Sequence, residues 1–112
     1  MFFLQGTLLK ISDESMNTFV KDHMKDPWKD HITMPYWTGG YKYLGRWWWD
    51  LNTQLSYTNW DWMSGEPNNH EGTEDRIEIN SDGTWNDLSS DAERGFICSR
   101  KASPGSISIL KI

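Results

Sequence analysis

From Tyr36 to Cys98 the chain sustains no helical period: short aromatic runs such as Tyr36-Trp37 and Trp47-Trp48-Trp49 are broken again and again by Gly, Asn and Asp. That texture belongs to a small sheet with long irregular loops, because aromatic residues suit a pleated surface and the breakers mark turns. It predicts strands over 35–38, 47–50, 54–58, 75–80, 83–86 and 94–99. Within it, 59–74 holds Trp60 and Trp62, then Gly65, Pro67, Asn68, Asn69 and Gly72, with no sustained period. A long punctuated loop inside a small domain is usually functional.

Ahead of this region, Ser12 reads as a helix N-cap, with Asp13 and Glu14 placed to complement the macrodipole. Met16, Phe19, Val20 and Met24 recur at helical spacing, which predicts one amphipathic helix over 13–25, stopped at Asp26-Pro27. The fold class is α+β. With 112 residues there is room for one domain with a single core. After Lys101, Pro104-Gly105 precedes an alternating Ser106-Ile107-Ser108-Ile109, either a loose end or an added edge strand.

A net charge of -5 and the lack of any basic run longer than a pair argue against nucleic acid as a partner. No apolar stretch approaches the roughly 18 residues of a membrane helix, and Met1-Phe2-Phe3-Leu4 is too short for a signal-peptide core, so neither membrane insertion nor a targeting segment is expected. The single cysteine, Cys98, excludes an internal disulfide and taken alone suggests a reducing compartment. It has no neighbouring His or basic cluster to make it a nucleophile.

Calcium requires about six to eight oxygen ligands from carboxylates, amide carbonyls and water. Glu66, Asn68 and Glu74 in the loop, with Asn86 and Asp87 following Trp85 at the end of an expected strand, supply such an inventory. A cis bond before Pro67 would bring the side chains of Glu66 and Asn68 to one side. Two neighbouring sugar hydroxyls could then give lone pairs to the ion while donating to carboxylates and accepting from amides. Taken alone, Gly65-Glu66-Pro67-Asn68-Asn69 is also ordinary turn chemistry.

The combination resembles a known family. Trp37-Thr38-Gly39-Gly40, Trp47 and Trp49, Leu55-Ser56-Tyr57-Thr58-Asn59-Trp60, Gly65-Glu66-Pro67-Asn68-Asn69, Glu74-Asp75, Gly83-Thr84-Trp85-Asn86-Asp87 and Phe96-Ile97-Cys98 follow the order of the C-type lectin-like domain. In that family the Glu-Pro-Asn motif, a glutamate eight residues after its first Glu, and an Asn-Asp pair twelve residues further on form the principal calcium and sugar site. Glu66, Asn68, Glu74, Asn86 and Asp87 meet all five positions at those intervals.

The resemblance implies small antiparallel sheets with one or two helices and a long calcium-binding loop, over a domain of residues 1–101 with a tail at 102–112. It implies Ca2+ as cofactor and glycans or glycoproteins bearing mannose, fucose or N-acetylglucosamine as partners, in an extracellular or secreted setting. The alternative within the fold is a protein-interaction domain without sugar binding. No acidic residue lies between Thr38 and Trp49, so the auxiliary calcium sites of some members are not expected.

Departures from the family are equally specific. Positions matching its short-range disulfide are Arg76 and Ser90, and Cys98 matches the last cysteine of the long-range pair, whose partner would fall about at Met1. The first strand and most of the first helix are expected to be missing, including the strand that pairs with the C-terminal one; the tail over 107–112 is one candidate to fill that edge. Disulfides contribute about 2–4 kcal/mol each against a domain stability of about 5–15 kcal/mol, so the lack is substantial.

An insertion, Asp61-Trp62, shifts the loop rim and makes Trp62 either a sugar-stacking ring or one packed on its own domain. Strand alternation puts alternate members of Trp47-Trp48-Trp49 in the core. His23, His31 and His70 share no metal-ligand spacing. A glycosidase pair from Glu66 and Glu74 is disfavoured, since carboxylates gathered on a cation cannot face one another across a bond with one held protonated. No enzyme activity is expected.

Overall fold

The computed structural model describes residues 6–24, 35–100 and 107–110. Helix α1 spans Glu14–Met24. Its cap is Asp13 rather than Ser12: Asp13 Oδ1 accepts from the Met16 N–H at 2.8 Å, the third residue into the helix. The expected stop at Asp26-Pro27 lies outside the described residues, as do His31 and Pro104-Gly105. Val20 is fully buried and Met16 and Met24 pack against the core as the periodicity requires. Asn17 is buried beside them at 5% exposure, where a polar side chain needs partners.

Among the described residues eight strands form one sheet: β1 Gly6–Leu8, β2 Tyr36–Tyr43, β3 Arg46–Asp50, β4 Thr53–Gln54, β5 Arg76–Ile79, β6 Trp85–Leu88, β7 Gly95–Arg100 and β8 Ile107–Leu110. The main path is β1-β7-β2-β3-β4, with β5 joining β2 to β6 and β8 added to β7. All pairings are antiparallel except β2 with β7. The tail is therefore an added strand, pairing Phe96 through Ser99 with Leu110 through Ile107. The short strand β1, which the sequence texture did not announce, pairs with the other edge of β7.

Strand β2 runs five residues beyond the expected 35–38 because Gly39 and Gly40 carry it through a crowded place. A Cβ on Gly40 would lie 2.5 Å from Ile77 Cδ1, and one on Gly39 2.9 Å from the Leu9 carbonyl oxygen. The hairpin to β3 turns on Leu44 and Gly45, both at positive φ, the conformation of a two-residue turn whose twist suits the flanking strands.

The expected strand 54–58 is not formed beyond Gln54. Leu55 still bonds the Trp47 carbonyl, but the chain then leaves the sheet; the Trp85 N–H donates to the Asn59 carbonyl and the Asp61 N–H to the Trp85 carbonyl. Leu55 and Tyr57 nonetheless face the core. Strand β6 begins at Trp85, later than expected, because the turn closed by Gly83 N–H on the Asn80 carbonyl takes up the preceding residues.

Trp85, at 0% exposure, is the centre of the core. Trp49, Tyr57 and Trp60 meet its ring edge-to-face at centroid distances of 5.6, 5.8 and 5.8 Å, a favoured aromatic geometry. Its Nε1–H donates to Asn17 Oδ1 at 2.7 Å, while Asn17 Nδ2 donates to the Gly83 carbonyl at 2.9 Å. Trp49 is buried and Trp47 packs on the core, whereas Trp48 Nε1 reaches the Tyr43 carbonyl. The core therefore packs and bonds the start of β6, two residues before Asp87.

Candidate metal centre

Asp87 is fully buried on β6, and its two carboxylate oxygens meet the loop. Oδ1 accepts from the Asn68 N–H at 3.1 Å and Oδ2 from the Asn69 N–H at 2.7 Å. The turn that offers these donors contains the Glu66-Pro67 bond, which is cis. Asn69 sits at positive φ, which Asn tolerates, and its Oδ1 accepts the Glu74 N–H at 3.2 Å. The His70 N–H is shared between Asn68 Oδ1 and Glu74 Oε1, at 3.1 and 3.0 Å. The loop thus folds back on itself through its own backbone and amides.

One carboxylate oxygen each from Glu66, Glu74 and Asp87 lies within 4.8 Å of the others. At that spacing and an effective dielectric near 20, each ionised pair repels by about 3.5 kcal/mol or more. None of the ion pairs among the described residues reaches these three groups. Burial, followed by the hydrogen bond and charge of Asp87 and then the charge of Glu74, holds the Glu66 carboxyl above its ordinary value. Burial is also the leading cause for Glu74, where the Asp87 charge adds to it and the His70 N–H works against it.

Two buried side-chain oxygens lack a hydrogen-bond partner among the described residues, Glu66 Oε1 and Asp75 Oδ1. Asp75 is compensated through its other oxygen, 3.3 Å from the Arg76 guanidinium. The charges that act on Glu66 among the described residues are the carboxylates of Asp87 and Glu74. An oxygen-loving cation fits this place: calcium–oxygen distances are about 2.3–2.6 Å, so oxygens sharing one ion stand no more than about 5 Å apart. The donor set of hard oxygens, without His rings or thiolates, suits calcium better than zinc.

Of the five residues singled out in the sequence, the fold brings the three carboxylates together and places Asn68 against Asp87 through its backbone. Asn86 follows a different arrangement: its Nδ2 donates to Glu78 Oε2 at 2.7 Å. Trp62 is 67% exposed in a 3₁₀ turn over Trp62–Ser64, so it is not packed on its own domain. The His70 ring faces solvent, while its backbone N–H bonds into the site. Sequence reasoning did not assign Asn69 or Glu78 a role; for Asn69 the usable signal was an Asn pair after Pro, which is turn chemistry. Cys98 is buried and unbonded, with burial pushing its thiol up to about 11, consistent with an inert side chain.

The family model for the lectin C-type domain matches residues 4–100. Perlucin of Haliotis laevigata is 28% identical over 107 residues, covering 91% of this chain and 66% of perlucin. Collectin-43 of Bos taurus is 51% identical over 47 residues, which is 39% of this chain and 14% of that protein. The crystal structure of the C-type lectin CEL-I from Cucumaria echinata superposes with a TM-score of 0.71 at 26% identity, over 83% of this chain and 66% of that one. The chain thus spans 66% of the length of perlucin and far less of collectin-43. No described helix is long and apolar enough to cross a membrane. On its sequence and its α+β architecture the chain belongs to the C-type lectin domain family, a family of non-enzymatic binding proteins.

Proposed function

We propose that this chain is a calcium-dependent carbohydrate-binding domain for mannose, fucose or N-acetylglucosamine type sugars. The observation that carries the reading is the convergence of Glu66, Glu74 and Asp87 within 4.8 Å, with Glu66 Oε1 buried and unpartnered. Bound calcium would supply the positive centre to which two vicinal sugar hydroxyls give lone pairs. Glu66, Glu74 and Asp87 would hold it, with the amide oxygens of Asn68 and Asn86 completing the protein's share. The carboxylates then accept from the sugar hydroxyls, while amide N–H groups donate to the same hydroxyl oxygens. Trp62, exposed on the rim four residues before Glu66, offers an apolar face to a sugar ring.

Further support comes from the relatives that are lectins by name, CEL-I among them. We take residues 1–101 as the domain and 102–112 as a tail that adds a strand to its sheet, in a secreted protein. A single shallow site buries little area, so useful avidity would come from several copies acting together. The test is retention on mannose resin in calcium and elution by EGTA, beside melting curves with and without calcium. Retention that ignores EGTA contradicts the reading. A calcium-dependent melt without retention would favour a protein ligand instead.

A further inference from the structure

Glu78 belongs to none of the ligand positions, yet it is the most enclosed glutamate among the described residues, at 4% exposure. It lies on β5 directly opposite Asn86 on β6. Its Oε2 accepts from Asn86 Nδ2 at 2.7 Å, and its Oε1 accepts from Arg94 Nε at 2.8 Å. Arg94 is itself anchored, donating from Nη1 to the Glu93 carbonyl at 2.8 Å. Both carboxylate oxygens of Glu78 are thus engaged, one by a cation that compensates its burial and one by the amide of a proposed ligand.

We propose that Glu78, pinned by Arg94, is a positioning residue that fixes which way the Asn86 side-chain amide faces. An Asn amide can sit in two orientations related by a half turn, with oxygen and nitrogen exchanged. A carboxylate held by an arginine is ionised and only accepts hydrogen bonds. It therefore selects the orientation with Nδ2 toward Glu78 and leaves Oδ1 on the other fork of the amide, the atom a cation needs. One Nδ2 hydrogen serves Glu78 and the second remains for a sugar hydroxyl oxygen. This inference rests on the proposed calcium site and concerns how one of its ligands is prepared.

Partners that orient metal ligands typically matter about 10–100-fold in metal affinity. Calcium titration by calorimetry on the wild type, Glu78→Gln, Glu78→Arg and the charge-reversed pair Glu78→Arg with Arg94→Glu, each beside a calcium-free melting curve, tests the proposal. Glu78→Gln is expected to weaken calcium affinity by about 10–100-fold, because a Gln amide can donate to Asn86 Oδ1 and permits the wrong orientation. Charge reversal restores an ion pair, so its melting temperature recovers relative to Glu78→Arg alone. Its calcium affinity does not, because a guanidinium can only donate and would seize Oδ1.

Recovery of both melting temperature and calcium affinity would reduce Glu78–Arg94 to a structural pair and overturn the proposal, as would equal calcium affinity in the wild type and Glu78→Gln. In wild-type calcium-free protein, NMR of the Asn86 amide should show one Nδ2 hydrogen exchanging with solvent more slowly than the other. Two hydrogens exchanging alike would overturn the proposal even if no variant folds. A wild type that takes up no calcium would instead sink the reading of the site itself.

Discussion

Trp85 and Asp87 stand two residues apart on β6, both at 0% exposure, and their surroundings are opposites. Trp85 enters an aromatic cluster in which its one side-chain polar atom is satisfied by Asn17 at 2.7 Å. Asp87 enters a pocket of backbone donors where the nearest charged groups, Glu66 and Glu74, repel it. One end of the strand is complete without any ligand; the other concentrates negative charge in a place that burial makes costly. The difference separates what holds the fold together from what the fold holds ready.

The comparison is broken most forcefully from the Trp85 end. Trp85→Ala should cost about 3–5 kcal/mol of stability, the range for removing a large buried aromatic ring, and a urea midpoint unchanged from wild type would show that the cluster is not the core. At the Asp87 end the effect has the opposite sign. Calcium at about 100 times its dissociation constant should stabilise the wild type by about 2.7 kcal/mol. The same concentration should leave Glu74→Gln nearly unmoved in a thermal melt, and an equal rise in both would remove Glu74 from the site.

Asn17→Ala sharpens the contrast by touching the join between helix and core. It leaves the Trp85 Nε1–H buried without its partner, a loss of about 1–3 kcal/mol, readable in the same denaturant titration. Calcium affinity should change little, since no ligand moves.

The pH response is smaller and its sign is diagnostic. Glu66 and Glu74 have folded values raised above the ordinary 4.5, so the calcium-free folded state binds protons more tightly than the unfolded chain. Their contribution to stability is fully present below the unfolded value and is lost as pH rises through the raised folded values. In EGTA the melting temperature should carry that downward component as pH rises from about 4.5. Saturating calcium should reverse it, because protonation then competes with the ion. A series of melts from acid to neutral pH in each condition reads both signs.

The least effect on stability is expected from Glu66→Gln with Asn68→Asp, which exchanges acceptor and donor around the ion. Its consequence is in recognition: glycan-array preference should move from mannose-type sugars to sugars whose neighbouring hydroxyls have the other stereochemistry. An unchanged array profile would contradict the assigned order of acceptors and donors.

Much of the site was legible because its chemistry is local and its spacing strict. Glu66, Asn68 and Glu74 lie within one loop, and Asn86-Asp87 follow Trp85 at the end of an expected strand. The helix was legible through Met16, Phe19, Val20 and Met24, and the aromatic alternation through Trp47 and Trp49. What escaped depends on contacts between distant segments. Asn17 looks like a surface residue until Trp85, far along the chain, needs its Oδ1. Glu78 in an alternating strand reads as solvent-facing until Arg94 and Asn86 enclose it. The run 54–58 has the alternation of a strand and keeps Leu55 and Tyr57 on the core, yet past the Leu55 bond to Trp47 its backbone leaves the sheet, and the chain meets β6 at Asn59 and Asp61, which bond Trp85. Periodicity reports which side chains are buried, and it does not report which backbone groups pair.

The central claim is that the three carboxylates around Asp87 form a cation site. Calorimetric titration of the wild-type chain with calcium, repeated with Glu74→Gln, tests it most directly. The account predicts saturable binding of one ion per chain that Glu74→Gln abolishes or weakens severely. Wild-type protein that folds and melts cooperatively yet gives no calcium-dependent heat, or a Glu74→Gln titration that matches it, would contradict the claim.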